Sequence, residues 1–385
     1  MKKISYLVIL LSLMLFISFF SASAANSQFI LEGVNQYYQE DYQEAVKSFN
    51  KILSEDESNV NALYYQTLAY LELYNIREAR ANIQILEDMG YTYALHYWKL
   101  GELYLNKKGF FDSPFYNEAR RKLERANQLG ISSAALHSDL AMAFQGLGNT
   151  SKAAEHYEIA VDKGAVIEDH VNLAILYKEA GKLDLALELY YQILEEDENR
   201  RSIYLNMGNI YIEQGKYQLA IDILNRGLEI DSTFLAIRTS LAEAYYRNEN
   251  YEKAKEHFSV VINNNPNIYQ AYFYLGEIYN LVEGNHEAAI NYYQRAINYN
   301  RSYVRAYLAL GNLHLQNDEY YRAMAQFMNA LESNPNHAEA HYRLALAFYQ
   351  MGRIESAIEE LRTTLHLDSN HNQARLLLNR LREEE

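Results

Sequence analysis

Small residues return along this chain at nearly constant intervals. Ten alanines, Ala45, Ala79, Ala119, Ala153, Ala186, Ala220, Ala254, Ala289, Ala323 and Ala357, lie 34, 40, 34, 33, 34, 34, 35, 34 and 34 residues apart. A second small position comes about twelve residues ahead of each alanine, as at Gly33, Gly101, Ala141, Gly208, Gly276 and Gly311. Bulky residues keep the same beat. Four residues after the alanines stand Phe49, Ile83, Leu123, Tyr157, Tyr190, Leu224, Phe258, Tyr293, Phe327 and Leu361. Tyr177, Tyr211, Tyr245 and Tyr279 follow three residues after the first small position. Steps of three and four put both partners on one face of a helix. Each unit therefore predicts two helices that approach closely at their small residues and pack through the large ones.

Segments such as 204-YLNMGNIYIEQGKYQLAIDILNRGLEI-230, 272-YFYLGEIYN and 307-YLALGNLHLQNDEYYRAMAQFMNALESNPN-336 resemble the tetratricopeptide repeat, whose period is 34 residues. The resemblance covers nearly all of residues 26–371. It implies an all-α fold, a right-handed superhelical solenoid of about ten antiparallel helix-turn-helix repeats. These fall at 26–59, 60–93, 94–133, 134–166, 167–200, 201–234, 235–268, 269–303, 304–337 and 338–371. Residues 372–385 then form a capping helix, with Leu376, Leu377 and Leu381 set to cover the last repeat. Neighbouring repeats share a continuous core, so one continuous domain is the simplest organisation.

Two departures concern the N-terminal half. The third repeat carries extra residues in 109-GFFDSPFYNEA-119, where Pro114 interrupts any helix. Its rings Phe110, Phe111, Phe115 and Tyr116 either fold back on the neighbouring hairpin or face a partner or membrane. Gly90, Gly130 and Gly164 close three early repeats, whereas Pro266 and Pro335 close two later ones; the glycine endings and the longer inter-helix loop look more like Sel1-like repeats.

The first residues concern location. Lys2 and Lys3 precede an uncharged, largely apolar run from Ile4 to Phe20, and Ala22, Ser23 and Ala24 supply the small residues of a cleavage site. This pattern reads as a signal peptide over residues 1–24, with an uncleaved anchor as the alternative because the run is close to a membrane span in length. The expected location is extracytoplasmic: the bacterial periplasm, secretion, or anchorage in the inner membrane with the repeats outside. The chain has no cysteine, which removes disulfides, thiol nucleophiles and cysteine-based zinc sites.

Charge changes the range of partners. The formal net charge is −15, and no basic stripe offsets it, so nucleic acid is not an expected partner. G-x-S-x-G, phosphate-loop and H-E-x-x-H motifs are absent from the sequence. His337 and His341 have the i, i+4 spacing of a metal-binding pair, but His337 falls in a turn and no third ligand is evident. No enzyme, cofactor or metal site is expected.

Binding remains, and the family resemblance says where. In such repeats the first helix of each hairpin lines a concave groove. That mapping places Tyr64, Trp98, Phe273 and Tyr342 at its fifth positions, Glu102, Asn209, Glu243, Glu277 and Asn312 at its ninth, and Tyr246 and Tyr349 at its twelfth. No fifth position is basic, which argues against a clamp for a C-terminal carboxylate. The mixture of apolar, aromatic and acidic side chains suits a protein or peptide segment with apolar anchors and some positive charge. The expected function is a non-enzymatic protein–protein scaffold of the bacterial cell envelope, with self-association open. The alternative is a glycan- or polysaccharide-binding or polymer-export accessory protein, supported by the 36 tyrosines.

Overall fold

The computed structural model describes residues 24–105 and 114–383. The signal-peptide segment up to Ser23 and the loop rings Phe110 and Phe111 lie outside the described residues. The described residues form 21 α-helices and no strand. No helix among them is long and apolar enough to cross a membrane. Contacts divide the chain into two compact units that meet in sequence at Tyr190 and Tyr191.

The first unit holds α1 (Ala24–Tyr38), α2 (Tyr42–Glu55), α3 (Val60–Glu72), α4 (Ile76–Asp88), α5 (Ala94–Tyr104), α6 (Tyr116–Gln128), α7 (Ala134–Gly146), α8 (Thr150–Asp162) and α9 (Ile167–Glu179). The boundary falls inside α10 (Leu183–Glu196). The second unit continues with α11 (Arg201–Glu213), α12 (Tyr217–Ile230), α13 (Leu235–Arg247), α14 (Tyr251–Asn264), α15 (Tyr269–Leu281) and α16 (His286–Tyr299). It ends with α17 (Val304–Gln316), α18 (Tyr320–Ser333), α19 (Ala338–Gln350), α20 (Ile354–Leu367) and α21 (Asn372–Glu383). Up to α20, odd-numbered helices are the first of each hairpin and even-numbered ones the second; α21 stands alone at the end.

The repeating small residues are where the two helices of a hairpin come together. All ten alanines of the register are fully buried. A Cβ on Gly33 would lie 2.7 Å from the Phe49 ring, one on Gly101 2.6 Å from Leu123, and one on Gly276 2.6 Å from the Tyr293 ring. Each bulky residue of the second helix thus occupies the space left by the small residue of the first. Gly276→Ala should lower stability by about 1–3 kcal/mol through overpacking, offset by about 1 kcal/mol of helix propensity. Ala141, Ala174 and Ala242 carry a methyl in the same register and are fully buried, so the net loss in a urea titration should be small. A gain in stability would show that the Tyr293 ring yields freely.

Helix ends follow local chemistry. Asn59, Ser133, Asn149, Asn250 and Asn285 cap helices by accepting a backbone N–H with their side chains, as short polar side chains do. Gly90, Gly130 and Gly164 leave their helices with φ of +88°, +102° and +79°, a left-handed conformation that favours glycine. Other second helices end at extended Asp56, Asp231, Asn265, Asn300, Asn334 and Asp368. There the side chain accepts an N–H two residues on, as Asn265 does from Asn267 at 3.0 Å. Repeats two to four are therefore closed by a glycine turn, and the first repeat and the later ones by an Asp or Asn turn.

The described end of the inserted loop lies against its own hairpin and the next, with Phe115 still 48% exposed. The Phe115 N–H donates to the Tyr104 carbonyl at 2.8 Å and its ring lies 6.3 Å from that of Tyr104. Tyr116 covers Gly146 of α7. At the other terminus, Leu377, Leu378 and Leu381 of α21 join the core formed with Leu361 and Ile358. Leu376, expected to cover the last repeat, instead points to solvent at 69% exposure. Residues 377, 378 and 381 share a helix face and 376 lies off it.

Candidate functional site

Within each unit, successive first helices pack directly on one another: α1 on α3, α3 on α5 and α5 on α7, then α11 on α13, α13 on α15 and α17 on α19. Successive second helices come less close among the described residues. The layer in which neighbours approach most closely is the inner one, so the first helices carry the candidate surface.

In the first unit this surface is a chain of polar links between consecutive first helices. The Trp98 indole N–H on α5 donates to Asp139 Oδ2 on α7 at 2.8 Å. The Ser138 hydroxyl on α7 donates to Asp169 Oδ2 on α9 at 2.8 Å. Lys99 Nζ lies 3.2 Å from Glu72 on α3 and 3.5 Å from Glu102 on its own helix. Tyr64 is half-buried, its ring 4.7 Å from Tyr93 and 4.8 Å from His96. His96 is buried against the Tyr64 carbonyl, and burial holds its imidazole down at about 4. Trp98, Tyr64 and Glu102 are all partly exposed here, and the Lys99 ammonium bridges Glu72 and Glu102.

In the second unit the acidic groups are engaged by tyrosine. Glu243 accepts the Tyr274 hydroxyl and lies 3.4 Å from Arg247. Glu277 accepts the Tyr293 hydroxyl at 2.5 Å. Burial first, then the Glu277 charge, pushes the Tyr246 hydroxyl up to about 12, and the Tyr246 ring lies 5.1 Å from Tyr274. Arg247 lies beside Glu243 and the exposed Arg305 lies over the Tyr274 ring at 5.6 Å, so the negative character expected at Glu243 is compensated locally. Asn209 and Asn312 are half-buried on α11 and α17, and the buried Asn312 Oδ1 has no hydrogen-bond partner among the described residues.

Two expected groove residues are not available to a ligand. Phe273 is only 3% exposed, covered by the Tyr303 ring at 5.4 Å and the Arg305 guanidinium at 4.6 Å. Tyr342 is 8% exposed, with His371 at 4.6 Å between it and solvent. In both cases a residue just ahead of the next helix of the inner layer or of the cap, Tyr303 before α17 and His371 before α21, closes over the ring. Tyr349 is half-buried against the C-terminal core. Sequence reasoning also missed Asp139, Asp169 and Arg305. Each acts across two repeats, and no spacing within one repeat signals such a contact.

The histidine pair considered for metal is used otherwise. His337 Nδ1 accepts the Ala340 N–H at 3.2 Å as a helix cap. His341 faces Glu360 at 2.6 Å and the Pro335 carbonyl at 2.9 Å. No group of three or more potential metal ligands occurs among the described residues.

Family models described as tetratricopeptide repeat match residues 177–233, 211–275 and 308–372, and one described as TPR repeat matches 283–318. The Sel1-like expectation therefore rests only on the glycine endings and the longer inter-helix loop of the sequence. No curated protein matches the chain. Among solved structures, the chain is similar to a tetratricopeptide repeat protein from Parabacteroides merdae, with TM-score 0.53 and 20% identity over 66% of this chain and 98% of that one. It is similar to yeast Tom70, with TM-score 0.52 and 14% identity over 93% and 96%. It is also similar to the C-terminal part of a TPR repeat-containing protein from Cytophaga hutchinsonii, with TM-score 0.50 and 20% identity over 64% and 99%. At these identities the likeness is one of fold.

Proposed function

Because the chain is a tetratricopeptide-repeat protein, we propose that it is a non-enzymatic scaffold of the bacterial cell envelope that holds a segment of another protein on the inner face of its first helices. The observation that carries this reading is the partly exposed row of the first unit, Tyr64, Trp98, Lys99 and Glu102. Trp98 and Tyr64 are of the residue types most often found as binding hot spots. Trp98 is held by its bond to Asp139, so little side-chain entropy is lost when a partner packs against it. The rings of Trp98 and Tyr64 favour a segment with apolar anchors, and the polar groups around Lys99, Glu72 and Glu102 supply hydrogen-bonding sites beside them. The N-terminal sequence pattern supports an extracytoplasmic location.

The glycan alternative draws on tyrosine abundance, yet Tyr157, Tyr190 and Tyr293 are core. Rings without an exposed face cannot stack on a sugar.

A photo-cross-linking residue at Tyr64 or Glu102, in cells that make the protein, should join a recurrent protein partner recovered with the extracytoplasmic fraction. The same residue at Ile85 on the second helix α4, exposed in the structure, should not. Equal labelling from both faces would overturn the inner-face assignment, and recovery of the full-length chain in the cytoplasm would overturn the location.

A further inference from the structure

One group of side chains takes no part in the proposed surface but touches its supports. His137 on α7 is 4% exposed, and its Nδ1 lies 3.0 Å from Nδ1 of His156 on α8, the second helix of the same hairpin. The other ring nitrogen of His137 faces the Ser132 hydroxyl at 3.1 Å. His156 is stacked on Phe144, with ring centroids 5.4 Å apart. Two Nδ1 atoms at this distance share one proton, donated by one ring and accepted by the other. With a proton on each, two N–H groups and two positive charges would point at one another.

We propose that the His137–His156 contact is an acid-sensitive joint that holds the inner row of the first unit at neutral pH and loosens it on acidification. The coupling lies in one turn of α7. His137 reaches back to α8, Ser138 reaches forward to Asp169 on α9, and Asp139 takes the Trp98 N–H from α5. These three consecutive residues cannot move independently, so displacing His137 from His156 disturbs both links of the inner row.

The surrounding charges do not prevent this. Lys163, at the end of α8, acts on His137 in the same direction as His156 does, and Lys152 likewise disfavours charge on His156. Glu155 on α8 and Glu124 on α6 oppose this at His156, and Glu124 is already paired with Arg120 at 2.7 Å. From α9, His170 faces the Val166 carbonyl and Asp169 faces Ser138. Burial is the largest influence on both histidines and holds each below 6.5. The folded unit then binds fewer protons than the unfolded chain as pH falls below about 6.5. Stability is therefore full above that pH and declines as pH drops toward the depressed folded values.

Trp98 is the only tryptophan of the chain and reports the joint directly. Its emission and acrylamide quenching, followed in the full chain from pH 7.5 to 5.0, should show a red shift and increased quenching with a midpoint below 6.5. His156→Phe keeps a ring on Phe144 and takes no proton, so that transition should be lost; His156→Gln serves the same comparison if the Phe variant does not fold at pH 7.5. Absence of a transition in the wild-type chain would overturn the proposal. So would its persistence at the same midpoint in the folded variant, which would assign it to other groups.

Discussion

Tyr293→Ala should reduce the protection of α15 and α16 against hydrogen exchange by about 3–5 kcal/mol, the range for removing a buried ring. Tyr293 is fully buried and fills the place that Gly276 leaves open, its ring 2.6 Å from where a Cβ would stand. Alanine would leave a void opposite a glycine, where neither helix has a side chain to fill it. Tyr293→Phe keeps the ring and loses only the hydroxyl bond to Glu277; this should cost about 1 kcal/mol because the half-buried carboxylate can turn to water. Exchange is the appropriate measurement because a solenoid's stability is a sum of local terms. Equal losses in the two variants would show that the hydroxyl, and not the packing of ring into glycine, holds this hairpin.

Phe273→Ala should likewise lower protection across α15 and α17 by about 3–5 kcal/mol. Its position in the repeat reads as groove lining, which would predict weaker partner binding and an unchanged fold. The structure places it under Tyr303 and Arg305 and against Tyr274 and Tyr293. Truncation would remove the apolar surface on which the guanidinium lies and a contact to three rings. Full retention of protection, with only partner binding affected, would return Phe273 to the groove.

These two residues mark the limit of what a repeat pattern can tell. Tyr293 was legible as core because its partner, Gly276, lies in the same hairpin and both recur at fixed steps. Phe273 was not, because what covers it comes from the junction with the next repeat, Tyr303 and Arg305, and varies between repeats. The equivalent residue Trp98 meets Asp139 instead and stays partly exposed. The acidic character read from Glu243 and Glu277 met the same limit. Their charges were visible, but the tyrosine hydroxyls that each of them accepts and the arginine beside Glu243 were not. Leu376 and Leu377 are adjacent leucines of one helix, and only the docking of α21 on Leu361 and Ile358 decides which is buried.

By itself the sequence determined the helical hairpins, the faces on which each pair meets, and the all-α repeat fold. The physical reason is that these depend on steps of three and four within a helix and on a small residue opposite a large one within a hairpin. Only the tertiary structure decided which first-helix side chains remain open to a partner, where the charge of the inner face survives, and that His137 and His156 meet. Those outcomes depend on distances between residues of different helices and different repeats. One side chain of closure, such as Tyr303 or His371, is enough to turn a groove position into core.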